Sequence, residues 1–108
     1  METTMASAKV NPGICGLGST LQVAVGADGM CEVSGESDCP HVQKLLAELV
    51  GLDPYGEIMY SDTSPRILAE ARNCLPHPAC PVPSALLKAV EVAAGLALPA
   101  DVAISVSE

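Results

Sequence analysis

Cys15, Cys39 and Cys80 stand in Gly- or Pro-bounded loops rather than in apolar runs. Their settings are Asn11-Pro12-Gly13-Ile14-Cys15-Gly16, Ser37-Asp38-Cys39-Pro40-His41 and His77-Pro78-Ala79-Cys80-Pro81-Val82-Pro83-Ser84. Cys39 and Cys80 each precede a predicted helix. There the free N-H groups and the positive dipole end favour the thiolate, which is both the metal-binding and the nucleophilic form of cysteine. Because the three are 24 and 41 residues apart and no CxxC pair is present, spacing alone does not describe a zinc finger or ribbon. Only the fold can bring them together.

Three adjacent thiolates repel one another unless a cation neutralises them, so the expected cofactor is zinc or an iron-sulfur cluster. The expected metal ligands are Cys15, Cys39 and Cys80. His77, three residues before Cys80, is the first candidate for a fourth, with Cys74, His41 and water as alternatives. Cys31 shares strand parity with Val33 and reads as core, and Cys74, at a helix end, has a structural reading too. Two other functions compete with the metal site. One is metal-free thiol chemistry, as a sulfur carrier or redox relay; the other is a purely structural interaction domain.

The elements that must position these thiols follow from periodicity. Residues 20–26 alternate with Leu21, Val23 and Val25 on one face, Ala27-Asp28-Gly29 turns the chain, and residues 30–36 return as a hairpin partner. Lys9-Val10 adds a short strand before Asn11-Pro12-Gly13. Val42, Leu45, Leu46, Leu49 and Val50 recur at helical spacing, with Pro40 in the first turn, Asp38 or Cys39 as cap and Gly51 as stop. Asp53-Pro54-Tyr55-Gly56 reads as a turn. Ser64-Pro65 opens a helix to about Asn73, with Ile67, Leu68 and Ala71 inward and Arg66 paired with Glu70. The prolines at 76, 78, 81 and 83 make a stiff loop around Cys80. A helix over about 82–94 directs Leu86, Leu87, Val90 and Ala94 to the core, and Val102, Ile104 and Val106 alternate as a final strand. The fold class is α+β: a small antiparallel or mixed sheet, made of the hairpin 20–36 and the C-terminal strand, with helices on one face. A hairpin brings the loops before and after it to one end, so Cys15 and Cys39 can meet. Cys80 joins them if the last helix packs beside the helix after Cys39 and in the same direction.

Composition bounds the function. A chain of 108 residues reads as a single domain, 1–108, with 49% apolar residues but no Phe or Trp, so its core is aliphatic. The net charge of -8 and five scattered basic residues leave no basic stripe for nucleic acid or for an anionic membrane. A protein partner is the better expectation. Met1-Glu2-Thr3-Thr4-Met5-Ala6-Ser7 lacks a signal-peptide pattern, and five cysteines are an odd count, so the expectation is a cytoplasmic protein with reduced thiols.

The order of these features over residues 9 to 94 resembles the iron-sulfur assembly scaffolds of the IscU and NifU N-terminal type. Like them, the chain has a cysteine loop, a Gly-turn hairpin, a second cysteine opening a helix and a third before a late helix. The resemblance implies a SufE/NifU-like fold, with Cys15, Cys39 and Cys80 as cluster ligands and a scaffold, carrier or accessory role without catalysis. Leu17 and Ala79 stand where that family carries an Asp and a His, and its Lys-containing chaperone segment is not matched by Leu75-Pro76-His77-Pro78-Ala79. The same three cysteine strings look like those of a group of small uncharacterised proteins from anaerobic prokaryotes. A more distant likeness is to four-cysteine domains related to a terminal domain of certain ribonucleotide reductases, which also implies cysteine-bound metal.

Overall fold

The predicted hairpin is the inner and outer part of a three-stranded antiparallel sheet of order β1-β2-β3, in a computed structural model that describes residues 4–59, 61 and 64–108. The strands are β1 (Thr4–Val10), β2 (Ser19–Val25) and β3 (Cys31–Ser37). Registers Thr4 to Val25, Val10 to Ser19 and Ser19 to Ser37 align them over their full lengths. β1 is longer than the two residues expected, because Ala6 and Ala8 continue the inward row that ends at buried Val10. Alanine is a weak strand former, so that row is nearly silent in sequence. In β3, Gly35 has φ +152, and an added Cβ would lie 2.3 Å from the Thr20 carbonyl oxygen, so the hairpin closes there only around glycine.

Four helices cover one face: α1 (Pro40–Glu48), α2 (Pro54–Ile58), α3 (Arg66–Cys74) and α4 (Val82–Ala93). The other face, carrying Met5, Ser7, Lys9, Gln22, Glu32 and Glu36, is open to solvent. Leu21, Val23, Val42, Leu45, Leu49, Leu52, Ile67, Leu86 and Val90 form the aliphatic core between sheet and helices. Burying each such side chain contributes on the order of 1.5–3 kcal/mol.

Several expectations are corrected. Asp53-Pro54-Tyr55-Gly56 is not a simple turn: it opens α2, whose N-cap Asp53 accepts from the Tyr55 amide at 3.2 Å. Val50 and Leu68 are exposed; α1 has ended before Val50, and Leu68 faces away from Ile67 and Ala71. The Arg66 guanidinium, expected to pair with Glu70, donates to the Val50 and Glu48 carbonyls at 2.7 and 3.2 Å. It thereby satisfies carbonyls at the end of α1 that have no helical partner. The expected C-terminal strand is absent: residues 95–108 are exposed throughout and form neither helix nor strand. Alternation specifies a strand only when a neighbour supplies the hydrogen bonds, and among the described residues no strand pairs with these.

Glu57 is the main feature that sequence reading misses. Its side chain is 5% exposed, and its two carboxylate oxygens accept from the Arg66 and Ile67 amides at 2.9 and 2.7 Å. Pro65, at the N-cap of α3, offers no side-chain oxygen, so a carboxylate from α2 takes that part. Glu57→Ala would leave both amides without acceptors and is expected to lower unfolding free energy by about 2–3 kcal/mol, read from urea titration.

Cys31 is fully buried, and desolvation, followed by the charges of Glu57, Asp53 and Glu32, pushes its thiol up from 9.0 to about 11. In the unfolded chain this thiol loses its proton first. Stability from this group is therefore full below pH 9 and falls as pH rises toward 11, by about 3 kcal/mol in all. Denaturant midpoints measured across that range should show the fall in the native protein and a smaller one in Cys31→Ala.

Candidate functional site

Directions of the elements decide which thiols can meet. β1 rises from Thr4 to Val10, loop 11–18 carries Cys15, and β2 descends from Ser19, so Cys15 lies at the Val10 end of the sheet. β3 rises to Ser37, which places Cys39 at that end too. α1 then descends, since Leu52 is bridged to Cys31 at the opposite end. α4 descends as well: the Thr4 hydroxyl donates to the Ala93 carbonyl at its C-terminus. Its 12 residues span about 18 Å, close to the length of β1, so Cys80, just before Val82, lies toward the Val10 end of the sheet. α3 begins against the end of α1 through Arg66 and packs along both α1 and α4, which carries Cys74 back toward the start of α1. The helices after Cys39 and Cys80 thus run in the same direction, but they do not pack side by side as expected, since α3 packs against both; the expected ligands lie toward one end of the fold.

Local bonds fix the approach to Cys39. The Ser37 hydroxyl accepts from the Ser19 hydroxyl at 2.8 Å and from the Cys39 amide at 3.0 Å. Gln43 Nε2 donates to the Ser37 carbonyl at 2.7 Å. Cys39 is the N-cap residue of α1, but its side chain makes no capping bond. The cap is therefore positional, and the half-buried thiol rests against the core.

Cys15 is held differently. Loop 11–18 is pinned at its base, where the Asp38 amide donates to the Gly18 carbonyl at 3.0 Å. At its tip the Gly16 amide donates to the Gly13 carbonyl at 3.0 Å, with φ +91 at Gly13 and +69 at Gly16. Three residues separate Cys15 from Gly18, a reach of at most about 10 Å. The tip carries fully exposed Ile14 beside exposed Cys15. An open depression of about 690 Å³ lies below the loop, lined by Lys9, Asn11, Gly16, Thr20, Glu36 and Asp38, with no thiol in its wall.

The remaining expected ligands divide by burial. Cys80 is half-buried against the core, while His41 and His77 are exposed. Cys74 is buried in the core beside Ile67 and Ala71, in keeping with its structural reading. Among the described residues, no group of three or more His, Cys, Asp or Glu is assembled to hold a metal ion. The fold brings the expected donors to one end but leaves them apart, and Cys15 is the one on a loop whose glycines permit a swing.

Thiol accessibility follows directly. Under native conditions Cys15 should alkylate fastest, Cys39 and Cys80 more slowly, and Cys31 and Cys74 only when the chain opens, giving a graded mass-spectrometric series.

Among the described residues, no helix is long and apolar enough to cross a membrane. No curated protein and no solved structure matches the chain significantly. A family model does match, over residues 6–106, from β1 through α4 and into the exposed segment that follows it. The chain therefore belongs to DUF6951, a family of unknown function.

Proposed function

We propose that this chain is a cytoplasmic accessory module or carrier that takes a zinc ion or an iron-sulfur cluster on Cys15, Cys39 and Cys80 and passes it to, or holds it for, a protein partner. The reading rests on one observation, the convergence of these cysteines on one end of the sheet. His77 is the first fourth donor, since it is exposed in the loop that carries Cys80; Cys74 and His41 are the alternatives. The donors stand apart, so loading requires loop 11–18 to fold over and bring Cys15 onto half-buried Cys39 and Cys80. The likeness to the IscU and NifU scaffolds supports the same ligand trio. Bound metal supplies the positive charge that lets three thiolates share one site.

Elemental analysis and a visible spectrum on protein purified without oxygen or chelator test this. Stoichiometric zinc, or iron with matching sulfide, is expected. Cys39→Ser should lower occupancy by at least about tenfold while the far-ultraviolet circular dichroism stays unchanged. Cys31→Ala should keep the metal. Protein that stays metal-free after anaerobic reconstitution overturns the reading.

The placement of half-exposed Cys39 and Cys80 at the starts of α1 and α4 favours a second reading, a metal-free thiol carrier or relay on one of them. It requires one thiol of the metal-free protein to alkylate well below pH 8, and uniformly slow alkylation would reject it.

A further inference from the structure

After α4 the chain leaves its own core. Residues 95–108 are exposed throughout, and Val102, Ile104 and Val106 are 62%, 76% and 92% exposed. Apolar residues alternating on one face of a segment are the pattern of a half-buried strand, yet nothing here covers them. The family match extends to residue 106, so this segment is part of the domain that defines the family. An apolar strand pattern left in water by the monomer calls for a surface supplied elsewhere.

One edge of the sheet fits it. β3 carries Glu32 and Glu36 and is followed by Asp38, which would repel the acidic tail with its Asp101 and Glu108; its Cys31 end is already bridged to Leu52. β1 has one charge, Lys9, and among the described residues no strand on its outer side, so a row of its backbone groups lacks a sheet partner there. Its inward row of Ala6, Ala8 and Val10 packs against α4, but the two alanines are small and only half-buried. Branched side chains at 102, 104 and 106 on a neighbouring strand would cover those two alanines. The alternating residues 102–106 fit within the seven-residue length of β1.

The tail starts beside that edge, because Ala93 is bonded to Thr4 at the beginning of β1. Two copies related by a two-fold axis near this point could exchange tails over a short distance, and such an exchange closes on itself. Pro99 stiffens the crossover before the alternating residues begin. We infer that the protein forms a tail-exchanged homodimer, in which residues 102–106 of each copy add as a strand to the free edge of β1 of the other. This inference uses no cysteine and is independent of the metal reading.

Sedimentation of the full chain in reductant tests it, together with hydrogen exchange. A species of twice the monomer mass is expected, with amides of 4–10 and 102–106 protected together. Ile104→Lys should halve the mass and release both segments while leaving circular dichroism of the helices unchanged. A full chain that stays monomeric at all concentrations overturns the inference, as does a dimer indifferent to Ile104→Lys. Joint protection of both segments in a monomer would place the tail on its own β1 and also overturn it.

Discussion

The carboxylate of Glu57 is the contact on which the far half of the chain depends. It comes from a five-residue helix and ends on the first two amides of α3, so it fixes where α3 begins. Arg66, in the same turn, seals the end of α1 by donating to its terminal carbonyls. One turn of chain thus joins three helices through charged groups bonded to backbone. The direction of α3 then carries the loop with His77 and Cys80 toward the end of the sheet where Cys15 and Cys39 lie. A core without Phe or Trp has less apolar area with which to enforce such alignment, and directional bonds at helix ends supply it instead.

What was legible in the sequence is what period and punctuation encode. Leu21 and Val23 on β2, Val42 and Leu45 on α1, and Leu86 and Val90 on α4 all lie where their spacing put them, and Gly95 follows the cap of α4 with positive φ, whereas α1 ends at Glu48, ahead of the expected stop at Gly51. The illegible parts are those decided by distant partners. Ala6 and Ala8 form a strand because β2 pairs with them, not because of their own preference. Glu57 looks like a surface residue until the Pro65 cap leaves amides for it to accept from. Val102, Ile104 and Val106 have the strand pattern without a partner in the same chain.

The candidate site was legible in part, by the same division. Hairpin topology was enough to bring Cys15 and Cys39 to one end, and the parallel course of α1 and α4 brings Cys80 there. Distances within that end depend on loop conformation, which residue order does not encode. The five thiols fall into three environments: core for Cys31 and Cys74, core margin for Cys39 and Cys80, and water for Cys15. For Cys31 the environment has a measurable chemical consequence, since burial and three nearby carboxylates hold its proton in place. That cysteine belongs to the packing of β3 against Leu52.

The sheet also gives the molecule two unlike ends. β1 has its thiol loop at the Val10 end and the root of the C-terminal tail at the Thr4 end, about 20 Å away. Whatever grips the tail end leaves the thiol end facing outward, so a pair joined there would present its cysteines at its two extremities, where each could be visited without parting the pair.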